Sequence, residues 1–250
     1  MWLKECWPTS SDREPRKRCA TTMQEPEKKR SVLLLGATGL VGSQCLNLFL
    51  ANDHFSKVST LTRQPLATNP VDPQYVNHVI DFDNPESYYG KVTADIVVCA
   101  LGTTIKRAGS RETFRKVDFQ YALELSKAAL ENGAGHLLLV SAKGAAADSR
   151  FFYNRVKGEL EDALAKLGYA RLSIFRPSLL KGDRREFRAG EEIGNFLAGT
   201  FSCVIPSQWK PTPADRLAEA ILNAAIDDRP GHRIYESGEI LKGLAGRADK

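Results

Sequence analysis

The 250-residue chain contains no apolar run near the roughly 18 residues that a helix needs to cross a bilayer, which excludes an integral helical membrane protein. Cysteine is scarce. Cys6, Cys19, Cys45, Cys99 and Cys203 are odd in number, widely spaced and without a C-x-x-C pair. The four histidines, His54, His78, His136 and His232, have no metal-ligand spacing. No metal site is expected from these counts, and free cysteines in apolar segments suit a reduced, cytoplasmic protein. A strong charge of one sign is also missing. Thirty-five basic residues face 30 acidic ones for a net +5, and residues 1–30, with eight basic and five acidic side chains, supply +3 of it. The remaining +2 on the body does not mark a nucleic-acid-binding surface, so no nucleic-acid partner is expected.

The 42% hydrophobic content is enough to exclude disorder for the body of the chain and to build a core without staples. Residues 1–30 are the exception. They lack apolar periodicity and a signal-type hydrophobic stretch, and five acidic residues argue against a transit peptide, so a disordered basic tail is expected. Met23, just before the charged stretch that leads into the first strand, is an alternative start. Trp2 and Trp7 would suit a contact with a protein partner.

From Ser31 onward, apolar runs of five to eight residues alternate with amphipathic stretches of 12–20. Strands are expected near 31–35, 57–62, 79–82, 95–101, 136–141, 171–175 and 232–235, and helices near 40–51, 111–131, 153–166 and 214–226. Near-continuous apolar strands alternating with helices predict a parallel sheet covered on both faces. Right-handed crossovers then make it a doubly wound α/β sheet, the Rossmann type, with its site at the carboxyl ends of the strands. Residues 31–250 read as one such domain with a small C-terminal substrate lobe inserted near 179–213.

The first strand runs into Gly36-Ala37-Thr38-Gly39-Leu40-Val41-Gly42 and then directly into a helix. Residues without a Cβ allow a tight turn and close approach to a pyrophosphate, and the helix N-terminus offers free N–H groups. Gly36, Thr38, Gly39, Leu40, Val41 and Gly42 are therefore expected to bind a dinucleotide. The spacing is G-x-x-G-x-x-G, and a structural turn is the alternative. About 20 residues on, Arg63 stands where NAD-preferring sites place a carboxylate. Its planar fork suits a 2′-phosphate and points to NADP(H), unless it lies on a solvated loop.

Ser141 ends the fifth strand, and Tyr153 and Lys157 follow at i and i+4 on one helix face. An ammonium beside a phenol favours proton transfer, and a serine at the strand end can polarise a carbonyl. Tyr153 is expected as general acid, Lys157 as its tuner and a ribose ligand, and Ser141 as polariser, with Tyr153 and Lys157 both expected to contact the cofactor and an ordinary exposed pair as the alternative. Asp118 is either an orienting residue or helix surface. Lys106, Arg107, Arg111, Arg184, Arg185 and Arg188 form two basic clusters that suit either an acidic substrate group or a solvated face.

The glycine turn, Ser141 and Tyr153-x-x-x-Lys157 resemble a short-chain dehydrogenase/reductase. The stretches 99–104, 140–145, 152–159 and 174–178 resemble the atypical, NADPH-binding subgroup of Tat-interacting-protein type, across residues 31–245. Family members often carry two adjacent serines where this chain has Ser141-Ala142. The resemblance implies further cofactor contacts from Asp81 and Phe82 near the adenine. It also implies Leu101, Gly102 and Thr103 along the cofactor, and Pro177 and Ser178 near the nicotinamide. It implies an NADP-dependent oxidoreductase that reduces a small or medium carbonyl compound, as a monomer or homodimer. The rival reading is an NADPH-binding redox sensor that acts through protein partners.

Overall fold

Four-residue blocks with no polar member make the centre of this molecule. Val32 to Leu35 and Ile96 to Cys99 are buried at every position, as strands covered on both faces must be. The computed structural model describes residues 29–66, 70–181 and 211–243. Its main sheet contains β1 (Arg30–Leu35), β2 (Phe55–Thr62), β3 (Tyr75–Val79), β4 (Ile96–Cys99), β5 (His136–Val140), β6 (Arg171–Arg176) and β9 (Gly231–Glu236). Their spatial order is β3-β2-β1-β4-β5-β6-β9, and every pairing is parallel. The order reverses between β1 and β4, which opens a crevice above their carboxyl ends. The doubly wound Rossmann architecture expected from the alternating pattern is therefore present.

Strand residues alternate between two cores. Leu33, Leu35, Val97, Cys99, Leu137 and Leu139 face the layer formed by the helices Ala122–Glu131 (α4) and Phe152–Ala165 (α5). Val32, Leu34, Ile96, Val98 and Leu138 face the layer formed by Leu40–Leu50 (α1) and Ala214–Ile226 (α6). Buried Leu217, Ala218, Ile221, Ala224 and Ala225 give α6 its apolar stripe, and its small side chains allow close packing on α1.

Two expectations need correction. The third strand, expected near 79–82, ends at Val79, so Asp81 and Phe82 lie in the turn beyond it. Tyr75 and Asn77, polar residues that hid the strand from an apolar count, bond the Thr60 hydroxyl of β2 at 2.8 and 2.7 Å. The long helix expected over 111–131 is composite. It starts as Arg111–Arg115 (α3), passes through a π-helical turn at Lys116–Tyr121, and resumes as α4. The short helices Ile105–Ala108 (α2) and Ser237–Lys242 (α7) were below the reach of periodicity. Leu180–Lys181 (β7) pairs with Thr212–Pro213 (β8) at the two ends of the expected lobe. The tail with Met23, and residues 182–210 with Arg184, Arg185 and Arg188, lie outside the described residues.

One buried group makes the fold pH-sensitive. His136 opens β5 with 2% exposure, and its Nε2 meets the Ser173 hydroxyl at 3.1 Å while Nδ1 has no hydrogen-bond partner. Burial, reinforced by Arg171 and Arg30 against weaker opposition from Asp227 and Asp228, pushes its pKa down to about 4. The unfolded chain therefore binds this proton more readily, and stability is lost as pH falls from the ordinary histidine value near 6.5 towards 4. The expected loss is roughly 3 kcal/mol. Urea unfolding of the wild type and His136→Gln between pH 7 and 4 checks it, since the variant lacks that part of the slope.

Candidate active site at the switch point

The glycine turn works by close packing as much as by freedom. Gly36 has φ +86°, and a Cβ there would meet Ala100 O at 2.5 Å. The Gly39 N–H donates to Gly36 O at 2.9 Å and closes the turn. Gly39 is then the extended N-cap of α1, which has no side-chain cap and no acidic residue in its first turn. The first N–H groups of α1 are thus left to an external anion, with the helix dipole in its favour. Gly36, Thr38 and Gly39 line the cleft. Leu40 and Val41 turn their side chains to the core instead, leaving only their backbone to the site.

Gly42 serves packing. A Cβ there would lie 2.1 Å from Gly36 O, a backbone atom that cannot swing aside. Gly42→Ala is expected to push α1 off β1, at about 1–3 kcal/mol or more, with loss of dinucleotide affinity. A thermal melt and a binding titration check both effects.

The cleft above β1 has a volume of about 680 Å³. One wall follows β2 and carries Thr62, Arg63, Gln64, Pro65 and Leu66; the other follows β4 and carries Ala100, Leu101, Gly102, Thr103, Arg107 and Ala108. Phe82 and Tyr121 also line it, with ring centroids 5.3 Å apart, and the Tyr121 hydroxyl donates to Asp83 at 2.7 Å. Arg63, Phe82, Leu101, Gly102 and Thr103 are therefore brought together as the sequence anticipated. Asp81 is not in the lining; its carboxylate accepts the Asp83 N–H at 2.9 Å and shapes the turn. Thr113, Val117 and Tyr121 were missed by the sequence analysis, which had no signal for them beyond an ordinary helix.

Behind the β4 wall, with neither residue in the cleft lining, lies an ion pair. Lys157 Nζ lies 2.9 Å from Asp118 Oδ1, with the two side chains 4% and 1% exposed. Asp118 Oδ2 accepts the Thr103 N–H at 2.7 Å, and a Cβ on Gly102 would meet Asp118 Oδ1 at 3.3 Å and Lys157 Nζ at 3.8 Å. The pair thus sits directly beneath the Gly102–Thr103 lining. Burial opposes the charge on Lys157, but Asp118 and the Tyr153 phenol outweigh it and hold its pKa above the ordinary lysine value. Asp118 belongs to the π-helical turn, whose extra residue widens the helix so that Val117 and Tyr121 reach the cleft while Asp118 reaches Lys157. Of its two sequence alternatives, orienting residue or helix surface, burial at 1% exposure excludes the second.

Tyr153 is half-buried one turn before Lys157 and packs on Phe114, ring centroids 5.7 Å apart. Gly158 allows α5 to lie this close, since a Cβ there would stand 2.2 Å from the backbone of Ala146.

Ser141 differs from its expected geometry. It is 4% exposed, and its hydroxyl donates to Glu161 Oε1 in a short hydrogen bond. Glu161 is also held by Arg176, whose Nη2 is 2.5 Å from Oε2, and Arg176 reaches on to Glu236 at 3.3 Å. The hydroxyl expected to face a substrate carbonyl is thus directed into a buried acid, because Glu161 lies one turn beyond Lys157 on the same helix. Pro177 and Ser178 follow β6. Pro177 O accepts the Lys143 N–H at 2.9 Å, and the Ser178 hydroxyl meets that of Thr212 at 3.0 Å. They join the ends of the sheet to β8 and are not in the lining of this cleft. Among the basic clusters, Arg107 lines the cleft and Arg111 lies over the Phe152 ring at 5.2 Å.

Among the described residues no group of histidine, cysteine or carboxylate side chains could hold a metal ion, and no helix is long and apolar enough to cross a membrane. Residues 32–160 match the NAD dependent epimerase/dehydratase family. Protein HTATIP2 of Rattus norvegicus is 35% identical over 220 residues, covering 86% of this chain and 89% of that protein. The mitochondrial protein fmp52 of Emericella nidulans is 33% identical over 204 residues, covering 78% and 87%. Among solved structures, MoeE5 in complex with UDP-glucuronic acid and NAD superposes with a TM-score of 0.62 at 15% identity, covering 82% of this chain and 75% of that one. At that identity the likeness is one of fold.

Proposed function

We propose, for a chain that belongs to the NAD dependent epimerase/dehydratase family and within it to the atypical HTATIP2-like subgroup, an NADPH-dependent reduction of a small or medium carbonyl compound. The observation that carries this reading is the buried Lys157–Asp118 pair beneath Gly102 and Thr103, with Tyr153 one turn ahead of Lys157. A solvated, accidental Tyr-x-x-x-Lys pair would have no use for a buried carboxylate partner.

The residues present suit a dinucleotide. The α1 N-terminus is uncapped and free of acid, Gly36 and Gly42 leave no room for a Cβ, and Arg63 rather than a carboxylate follows β2. Arg63 favours the 2′-phosphate of NADP(H). When bound, the reduced nicotinamide supplies the hydride. Tyr153 holds the proton at its phenol oxygen and delivers it to the carbonyl oxygen as negative charge develops there. Lys157 keeps a positive charge beside that phenol and is a donor for a ribose hydroxyl, and Asp118 keeps Lys157 ionised and in place. Ser141 acts through Glu161 as a strut between β5 and α5, and Pro177 and Ser178 tie the end of β6 to Lys143 and to β8.

One observation favours the second reading, an NADPH-binding sensor that acts on a protein partner. The Ser141 hydroxyl is already given to Glu161, which removes the side-chain polariser a reductase commonly uses. Cofactor oxidation with a panel of aldehydes, ketones and quinones, run against Tyr153→Phe, separates the two. Turnover lost in the variant supports the reductase; cofactor binding without turnover in either protein supports the sensor. The mitochondrial name of the fungal relatives stands against the plain cytoplasmic expectation, and a mitochondrial site of action belongs to this proposal.

A further inference from the structure

The described arginines are mostly engaged. Arg30 and Arg171 share Asp228, Arg176 holds Glu161, Arg229 and Arg233 hold Asp227, Arg115 meets Glu159, and Arg111 and Arg155 lie over Phe152. Arg63 and Arg107 both line the same cleft, and among the described residues neither guanidinium has an ion-pair partner. No aspartate or glutamate is in that lining. A concave surface with two unpaired guanidiniums and no acid concentrates positive potential and calls for an anion.

Topology separates the two arginines. β2 and β4 flank β1 in the sheet, so Arg63, after β2, and Arg107, after β4, stand on opposite sides of the glycine turn. That turn has no lysine or arginine from Gly36 to Gly42, so the phosphates placed there would have helix N–H groups and no full positive charge. Arg107 is well aimed for the missing charge. In the short helix α2, Thr104 caps the Arg107 N–H at 3.1 Å, and Arg107 and Ala108 line the cleft while Ile105 and Lys106 do not.

We infer that Arg107 binds the pyrophosphate of the dinucleotide from the β4 wall, which divides the anionic groups of the cofactor between it and the Arg63 already assigned to the 2′-phosphate on the β2 wall. This inference rests on the dinucleotide reading above. It gives Arg107 an affinity role common to both nicotinamide cofactors, and it leaves the choice between them to Arg63.

The test is a pair of equilibrium titrations, NADPH and NADH, on the full chain and on Arg107→Ala, Arg107→Lys and Arg63→Ala. Loss of one charge-assisted phosphate contact is about a 10- to 100-fold loss of affinity. Arg107→Ala is expected to weaken NADPH and NADH by the same factor in that range, with their ratio kept and with part of the loss recovered by Arg107→Lys. Arg63→Ala is expected to weaken NADPH alone. Melting temperatures should stay within about 2 °C of wild type, because both side chains are exposed and unpaired. An Arg107→Ala protein that keeps both affinities, or loses only that for NADPH, overturns the division. A wild-type chain that binds neither cofactor overturns the dinucleotide reading and the division together.

Discussion

Tyr153→Phe is expected to lower NADPH-dependent carbonyl turnover by about 10²- to 10⁴-fold, the range for loss of a positioned general acid. The substitution is a clean one in this setting. The ring keeps its packing on Phe114, and Lys157 keeps Asp118 at 2.9 Å, so no buried charge is orphaned. NADPH affinity should change by no more than about threefold, because one neutral hydroxyl contact to the cofactor contributes little beside its pyrophosphate and 2′-phosphate. Initial rates and a cofactor titration on the same preparation read both quantities. A variant that retains full turnover would remove Tyr153 from the chemistry.

The largest stability effect is expected at the partner of Lys157. Asp118→Asn leaves Lys157, 3% exposed, with its charge uncompensated, and breaking a buried pair in this way costs about 3–5 kcal/mol. Because Asp118 and Tyr153 outweigh burial and raise the Lys157 pKa, the pair contributes its full stability below the ordinary lysine value of 10.5. That contribution is lost only as pH rises through the raised value. At neutral pH the whole penalty is therefore visible in urea unfolding. Asp118→Asn combined with Lys157→Met should recover most of it, since the double variant leaves no buried charge. If the double variant is as unstable as the single one, the loss comes from packing and the ion pair carries no special weight. The same Asn variant should also disturb the Thr103 N–H, which now donates to Asp118 Oδ2, and weaken cofactor binding through the β4 wall.

Ser141 illustrates why some of the site was legible and some was not. Its position at the end of β5 followed from the apolar run before it, and Tyr153 and Lys157 followed from helical spacing. Its partner could not follow, because Glu161 is 20 residues away and is brought near only when α5 packs across the sheet. Asp118 was ambiguous for a related reason. A regular α-helix over 111–131 gives no ground for turning that one carboxylate inward, and the π-helical turn that does so has no signature in apolar periodicity. The third strand was misplaced because Tyr75, Asn77 and His78 leave it only Val76 and Val79 as apolar members, while Tyr75 and Asn77 both bond the Thr60 hydroxyl of β2.

The sequence by itself determined the parallel doubly wound sheet, the glycine turn and the helix face that presents Tyr153 and Lys157. Each of these rests on local rules: apolar runs for covered strands, absent Cβ atoms for close approach, and a period of 3.6 for neighbours on a helix. Tertiary structure alone decided that Lys157 is paired by Asp118, that Ser141 is given to Glu161, and that Arg107 joins Arg63 around one acid-free cleft. Those contacts join elements far apart in the chain, and their energies depend on burial and on which side chain meets which. A pattern read along the chain carries the face a residue occupies, whereas its partner is set by the packing of one layer on another.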